Sequence, residues 1–130
     1  MKELILIVED HALNRKLVRD VLQAKGYRTV ETETAEEGLD LARQHQPALI
    51  LMDIQLPGIN GIEALDRLRA DPLTRAIPVI AVTASAMTHN RQQILAAGFD
   101  GYQPKPISLR DLLDTVRGML DRPHGAIAAP

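Results

Sequence analysis

Short apolar runs alternate along the chain with longer segments in which apolar residues recur every three or four positions. Five runs have the length and composition of strands, at residues 4–8, 27–31, 48–53, 79–83 and 101–104. The first, third and fourth are almost wholly apolar, as expected for strands that are covered on both faces of a sheet. The last is short and polar and contains Pro104, which cannot donate a ladder hydrogen bond, so we expect it at a sheet edge.

The segments between these runs have helical periodicity and carry signals for helix starts and ends. Their apolar positions are Leu13, Leu17, Val18, Val21 and Leu22 in the first helix, Ile62, Leu65 and Leu68 in the third, Ile94 and Leu95 in the fourth, and Leu112, Leu113, Val116 and Leu120 in the fifth. Thr34 opens a capping box at the second helix, which is predicted to end near Gln44, and Ser108 caps the fifth. Gly26 and Gly98 predict the ends of the first and fourth helices.

The strict alternation of strand and helix predicts an α/β fold. Five such units form a parallel sheet with right-handed crossovers and helices on both faces. The chain of 130 residues is long enough for one domain with a substantial core. We expect this domain to occupy residues 1–120, and residues 121–130, which include proline, glycine and alanine, to form a flexible tail.

Polar and charged residues follow the apolar strands at the point where each strand ends. Glu9 and Asp10 come after the first strand, Asp53 ends the third, Thr83 ends the fourth and Lys105 follows the fifth. Ligands bind outside the carboxyl ends of parallel strands, so these side chains are expected to meet in one crevice. A carboxylate after an apolar strand must lie at a rim, be neutralised or bind a ligand, because a buried unpaired charge is costly.

Three carboxylates in one crevice favour a magnesium site. Mg²⁺ prefers oxygen ligands, and two carboxylates about 4 Å apart would otherwise repel by roughly 4 kcal/mol. Lys105 adds a positive charge and Thr83 a hydroxyl, both suited to a phosphoryl oxygen. A carboxylate beside such groups can accept a phosphoryl group, because this transfer needs mainly positioning and charge neutralisation. Each residue alone would be an ordinary surface or strand-end group, so only their joint placement indicates a site.

A set of ordered motifs from residue 2 to about residue 120 resembles that of two-component response-regulator receiver domains. The motifs are Val8-Glu9-Asp10, Leu51-Met-Asp53-Ile-Gln-Leu-Pro-Gly58, Ala81-Val-Thr83-Ala84 and Lys105-Pro106, in the order that the family has them. The resemblance implies a flavodoxin-like sheet with strand order 2-1-3-4-5. It also implies a phosphoacceptor in a phosphorelay, which takes its phosphoryl group from a sensor histidine kinase or a histidine phosphotransfer protein.

The resemblance also implies roles for individual residues. Asp53 would be the phosphorylation site, and it would ligate Mg²⁺ directly together with Asp10. Glu9 would act on the ion through water, and the backbone carbonyl of Gln55 would complete the protein ligands.

Around the phosphoryl group, Lys105 would pair with its oxygens, with a cis bond to Pro106. Thr83 and Tyr102 would form the switch, Thr83 moving to the phosphate and Tyr102 turning inward. Ala84 is small and would leave room for the phosphoryl group.

The resemblance extends to docking surfaces. Asn14, Arg15 and Val18 would help to dock the phosphodonor, although a plain solvated helix face explains them nearly as well. A downstream protein target would bind at Met87, Arg91, Gln92 and Tyr102, of which Met87 is equally a candidate core residue.

His11 stands where relatives commonly carry Asn. Mg²⁺ disfavours imidazole, so we expect His11 to be an exposed residue in the first turn of the helix and not a metal ligand. The motifs are similar to single-domain DivK-like cell-cycle regulators and to receivers of hybrid kinases.

Composition excludes several other classes of function. A net charge of -2, one Phe, two Tyr and no Trp leave neither a basic surface nor stacking residues for nucleic acid. No apolar run is long enough to span a membrane or act as a secretory signal, so a cytoplasmic bacterial protein is expected. The absence of Cys excludes disulfides and thiolate chemistry.

Three alternative functions are weighed against the receiver interpretation. A Mg²⁺-dependent phosphatase with an aspartyl-phosphate would need an acid two residues after Asp53, where Gln55 stands. A nucleotide-binding module would need a glycine-rich first turn, which residues 8–12 lack. A phosphorylation-independent interaction module of the same fold is disfavoured by the intact Asp53, Thr83 and Lys105. We therefore expect no enzyme activity other than the protein's own phosphorylation and dephosphorylation.

Overall fold

A computed structural model describes residues 3–56, 58–83 and 91–121, the side chain of Arg91 excepted. Its strands are β1 (Leu4–Val8), β2 (Arg28–Thr32), β3 (Leu49–Asp53), β4 (Val79–Thr83) and β5 (Gly101–Pro104). Its helices are α1 (Ala12–Ala24), α2 (Ala35–His45), α3 (Gly61–Ala70), α4 (Arg91–Ala96) and α5 (Leu109–Leu120). The expectations for Ala84, for Met87 and for the tail beyond Asp121 lie outside the described residues.

The five strands form one parallel sheet in the order β2-β1-β3-β4-β5, which confirms the predicted fold class. The strand order reverses between β1 and β3, which are paired in register from Ile5 opposite Leu49 to Val8 opposite Met52. The crevice at the carboxyl ends of these two strands is therefore the topological switch point of the sheet. The short strand β5 lies at an edge, as Pro104 predicts.

Alternate residues of the strands enter two hydrophobic clusters, one on each face of the sheet. Leu6, Val8, Ile50 and Met52 pack in a cluster that includes residues of α2, α3 and α4. Their neighbours in sequence, Ile5, Ile7, Leu49 and Leu51, pack in a second cluster with residues of α1 and α5. Burial on both faces explains why these strands are continuous apolar runs.

The predicted helix signals are found in the structure. The side chains of Thr34 and Ser108 accept hydrogen bonds from the backbone N–H groups of Glu37 and Asp111, at the starts of α2 and α5. Gly26 and Gly98 follow the ends of α1 and α4 with positive φ angles of 94° and 113°. Over residues 3–56, 58–83 and 91–121, none of the helices combines the length and the apolar character needed to cross a bilayer.

Two details differ from the sequence-based expectation. Strand β2 is shifted by one residue, to Arg28–Thr32, because pairing with β1 sets its register. In α1, Val18 and Leu22 are buried, whereas Leu13 and Leu17 are exposed. Leu17 lies about 100° around the helix axis from its buried neighbour Val18, and Leu13 is one turn before Leu17 on the same side, so both point away from the sheet.

Candidate functional site

The carboxyl ends of four strands bring the predicted site residues together. Glu9 and Asp10 follow β1, Asp53 ends the adjacent β3, Thr83 ends β4 and Lys105 follows β5. Among these residues, Lys105 makes the contacts that join the segments. Its Nζ atom lies 2.8 Å from Asp53 Oδ2 and 3.0 Å from Glu9 Oε1. The predicted meeting of the first, third and fifth segments is therefore present in the structure.

Of the three possibilities for a carboxylate after an apolar strand, the structure shows for Asp53 a buried and neutralised charge and not a position at a rim. Asp53 is 2% exposed, and the side chain of Lys105 that neutralises it is only 10% exposed. Its second oxygen, Oδ1, accepts a hydrogen bond of 2.9 Å from the backbone N–H of Gln55. Both carboxylate oxygens thus have a donor, which offsets the cost of burying the charge.

The electrostatics of the cluster raise the pKa of two groups. The pKa of Glu9 is raised above its ordinary value, first by burial and then by the negative charge of Asp53. Hydrogen bonds from the His11 backbone and from Lys105 lower this pKa but do not cancel the rise. Burial alone would lower the pKa of Lys105, but hydrogen bonds to Asp53 and Glu9 outweigh that effect and raise it. Lys105 therefore remains a cation at neutral pH.

The acidic residues have the arrangement of a divalent-cation site. Glu9, Asp10, His11 and Asp53 each offer a ligand atom, and these atoms all lie within 4.8 Å of one another. Asp10 Oδ1 is buried and, within the described part of the chain, has no hydrogen-bond partner. A cation held by oxygen ligands would supply that partner, so the residues present fit a hard divalent ion such as Mg²⁺.

The comparison with protein families agrees with this geometry. The family model of the response regulator receiver domain matches residues 5–117 of this chain. The chain belongs to this family. It is 48% identical over 120 residues to the polar-differentiation response regulator DivK of Brucella ovis, an alignment that covers 92% of this chain and 98% of that relative.

Solved structures of other receivers have the same fold. A receiver domain of a sensor histidine kinase from Pseudomonas aeruginosa, solved with a magnesium ion coordinated in its active-site cleft, is 30% identical. It aligns with a TM-score of 0.86 over 94% of this chain and all of the other. A CheY-like receiver domain protein from Methanospirillum hungatei is 34% identical, with a TM-score of 0.84 over 93% of this chain and 95% of the other.

The other predicted residues of this receiver domain belong to β4, β5 and the segments that follow β3 and β5. The peptide bond between Lys105 and Pro106 is cis, as predicted. Thr83 is fully buried, and its carbonyl accepts a hydrogen bond of 2.7 Å from the backbone N–H of Lys105. Tyr102 is half-buried and packs against the cluster of α2, α3 and α4, while Gln55 is exposed.

Arg15 has a role in the receiver site that the sequence analysis missed. Its Nη1 donates a hydrogen bond of 2.9 Å to the backbone carbonyl of Glu9, and its Nε lies 3.2 Å from Glu31 Oε2. The backbone N–H of Glu9 donates to the carbonyl of Thr32 at 3.0 Å. Both backbone groups of Glu9, its N–H and its carbonyl, are thus hydrogen-bonded. Arg15 therefore acts as a positioning residue for Glu9 and is not simply part of a solvated helix face. No spacing rule predicts this contact, because the partner atom belongs to the backbone of a loop.

His11 is exposed, as predicted, but its imidazole is turned towards the carboxylates. Its Nδ1 lies 3.3 Å from Asp10 Oδ1 and 3.4 Å from Glu9 Oε2, although the side chain is 69% exposed. It occupies the N-cap position of α1, and among the residues that the structure describes its side chain makes no capping bond. A helix-start role therefore does not account for this orientation.

Proposed function

We propose that this receiver domain accepts a phosphoryl group on Asp53 in a Mg²⁺-dependent reaction and signals by protein contact. One observation carries the proposal. The ammonium group of Lys105 bridges Asp53 and Glu9 at 2.8 and 3.0 Å, beside the buried Oδ1 of Asp10, which accepts no hydrogen bond from the residues that the structure describes. This combination of an acceptor carboxylate, a cation and further acidic ligands is what phosphoryl transfer to a carboxylate requires.

The proposed donor is a phosphohistidine on a sensor histidine kinase or a histidine phosphotransfer protein. An oxygen of Asp53 attacks phosphorus, and a P–O bond forms as the P–N bond to the donor imidazole breaks. The electron pair of the broken bond remains on the imidazole nitrogen, and the ring takes up one proton from solvent so that it leaves as neutral imidazole. The product is an acyl phosphate on Asp53 and a free histidine on the donor.

Four residues are proposed to hold the metal ion. Asp10 and Asp53 would bind it directly, Glu9 through a water molecule and Gln55 through its backbone carbonyl. When bound, Mg²⁺ supplies positive charge that neutralises the phosphoryl oxygens in the transition state. The solved relative from Pseudomonas aeruginosa, which has magnesium in its active-site cleft, supports Mg²⁺ as the ion.

The remaining residues act after or during transfer. Lys105 would exchange its contact with Asp53 Oδ2 for one with a phosphoryl oxygen, which keeps its charge paired. Thr83 and Tyr102 are proposed to form the switch, because Thr83 ends the strand beside Asp53 and Tyr102 lies on the next strand. A phosphoryl group adds a charge of roughly -1.5 to -2, enough to bias such a two-state element.

The output is proposed to be contact with a downstream protein, not DNA binding or turnover of a small substrate. The similarity to DivK over 98% of that regulator supports a receiver domain over residues 1–120. Cognate kinase and target are separate questions, which a phosphotransfer profile against the kinases of the host addresses.

Intact-mass spectrometry with acetyl phosphate and Mg²⁺ tests the acceptor. The wild type is expected to gain the mass of one phosphoryl group, and both Asp53→Asn and wild type with excess chelator are expected not to. Asp66→Asn, on α3, is the matched control and is expected to label like the wild type. A label on Asp53→Asn would overturn the assignment, and an unlabelled wild type would favour a phosphorylation-independent module. Repeated release of phosphate from sugar phosphates would favour the phosphatase.

A further inference from the structure

The edge strand β2 lies outside the acidic cluster and yet is connected to both backbone groups of Glu9. The carbonyl of Thr32, at the end of β2, accepts a hydrogen bond of 3.0 Å from the backbone N–H of Glu9. The preceding residue, Glu31, is connected to the carbonyl of Glu9 through Arg15. The Nε atom of Arg15 lies 3.2 Å from Glu31 Oε2, and its Nη1 donates to the Glu9 carbonyl at 2.9 Å.

The contact between Arg15 and Glu31 is partly shielded from water. The two side chains are 18% and 28% exposed. Glu31 Oε2 is buried and accepts no hydrogen bond from the residues that the structure describes, so the adjacent charge of Arg15 offsets the cost of burying it. Glu31 Oε1 pairs with Arg19 Nη1 at 2.9 Å. Because a guanidinium is planar and presents several N–H groups in fixed directions, Arg15 contacts a carboxylate and a carbonyl at once.

The backbone of Glu9 determines where the acidic side chains stand. The carboxylate of Glu9 lies 3.0 Å from Lys105 Nζ and accepts a hydrogen bond of 3.1 Å from the backbone N–H of His11. Lys105 also contacts Asp53, and Asp10 directly follows the carbonyl that Arg15 binds. A shift of this backbone would therefore move two acidic side chains relative to the acceptor, and a displacement of about 1 Å can slow a reaction by roughly a hundredfold.

We propose that Arg15, held in place by Glu31, is a positioning residue for phosphoryl transfer to Asp53. It acts through the backbone of Glu9 and not by attracting the anionic phosphodonor. This inference rests on the proposed function and adds to it a pair of residues outside the acidic cluster. The rate of transfer should then depend on both members of the pair, and not on the positive charge of α1 as such.

The rate of labelling by acetyl phosphate, followed by intact mass, tests the proposal. This small donor does not require docking of a protein on α1. Arg15→Gln is expected to label about tenfold more slowly or worse, because the Glu9 carbonyl loses its donor. Arg19→Gln is the matched control, since it removes the same charge from the same carboxylate of Glu31 but leaves the contacts of Arg15 in place. It should label within about twofold of the wild type. Equal slowing in both variants would overturn the proposal.

Two further variants separate position from charge. Arg15→Lys keeps the charge, but its compact ammonium group lacks the planar arrangement of donors that faces both partners, so it should also label slowly. The slowing should persist at high ionic strength, whereas an effect of charge on the donor would be screened. The double variant Arg15→Gln/Glu31→Gln should be no slower than Arg15→Gln, because the two residues act as one unit. A wild-type rate in Arg15→Lys, or additive slowing in the double variant, would contradict the proposal.

Amide hydrogen exchange gives a measurement that does not depend on phosphorylation. In Arg15→Gln the amides of Glu9 and His11 are expected to exchange faster than in the wild type and in Arg19→Gln, while those of β4 stay protected. If the β4 amides also lose protection, the variant is unfolded, and Glu31→Gln takes its place in both measurements. Faster exchange in a protein whose wild type is not labelled would sink the proposed function alone. A wild-type labelling rate in folded Arg15→Gln would sink only the positioning role.

Discussion

At the scale of single residues, the charge of the site has a simple balance. Glu9, Asp10 and Asp53 contribute three negative charges and Lys105 one positive charge, which leaves -2 when all are ionised. One divalent cation cancels that charge. The burial of Glu9 and Asp53 therefore makes sense in a site that is completed by a metal ion, because each carboxylate needs more positive charge than Lys105 alone supplies.

Glu9→Gln is predicted to stabilise the metal-free protein near neutral pH, by on the order of 1 kcal/mol. The amide carries no charge to bury beside Asp53, and its oxygen still accepts a hydrogen bond from Lys105. Because burial raises the pKa of Glu9, the folded wild type takes up a proton at higher pH than the unfolded chain. The advantage of the variant should therefore shrink as the pH falls towards the unfolded value of about 4.3.

Urea unfolding with a chelator, at a series of pH values, measures this difference. Glu63→Gln is the control, because Glu63 is half-exposed on α3 in a surface pair with Arg67. It should change the free energy of unfolding by less than about 0.5 kcal/mol at every pH. Parallel pH curves for the wild type and Glu9→Gln would contradict the prediction.

At the scale of secondary-structure elements, the start of α3 is packed directly against the segment that carries Asp53. A Cβ atom on Gly61 would lie 2.8 Å from the Asp53 carbonyl oxygen and 2.8 Å from Ile54 Cα. Both are backbone atoms, which cannot move aside as a side chain can. The backbone N–H of Gly61 also donates to the Ile54 carbonyl at 3.0 Å. The lack of a side chain at Gly61 thus allows the helix to approach the acceptor.

Gly61→Ala is predicted to lower the free energy of unfolding by about 1 to 3 kcal/mol, because the methyl group overlaps the backbone of β3 and the following loop. It should also slow labelling by acetyl phosphate, since the displaced backbone carries Asp53. Urea unfolding and intact mass measure the two effects.

Gly118→Ala is the matched control for Gly61→Ala. Gly118 lies in α5, and an added Cβ there meets no atom within 4 Å in the part of the chain that the structure covers. Alanine favours a helix over glycine by roughly 0.5 to 1 kcal/mol, so this variant should be more stable and label normally. Equal losses of stability in both variants would refute the close-approach explanation.

At the scale of the whole molecule, a ligand at the strand ends should stabilise the entire domain. The proposed ligands come from the segments at the ends of β1 and β3, so unfolding either of them would release the ion. At a Mg²⁺ concentration 100 times the dissociation constant, binding adds about 2.7 kcal/mol to the free energy of unfolding. We predict that the melting temperature then rises by about 10 °C.

Thermal melts in a Mg²⁺ salt and in a sodium salt of equal ionic strength distinguish stabilisation by a bound Mg²⁺ ion from general screening of the acidic charges. Asp10→Asn should lose most of the shift with Mg²⁺, because it removes a proposed direct ligand. Asp40→Asn, exposed on α2, should keep it. An equal rise with the sodium salt would show that screening, not a bound ion, stabilises the protein.

The sequence by itself determined the elements of this protein and the candidates for its site. Apolar runs such as residues 4–8, and the capping residues Thr34 and Ser108, act within a few positions of the chain, so they predict strands and helix starts directly. Acids directly after apolar strands are equally local signals. The strand order and the residue roles came from resemblance to receivers, since periodicity alone does not order a sheet.

Only the tertiary structure decided which of these groups touch. Lys105 meets Glu9 across 96 positions of the chain, and Arg15 reaches the carbonyl of that residue by a side-chain contact that no periodicity encodes. The exposure of Leu13 in an apolar stripe, and the turn of His11 towards Asp10, are decided in the same way. Local patterns record which face of an element is apolar, whereas contacts between distant residues depend on strand order, register and side-chain conformation, which exist only in the folded chain.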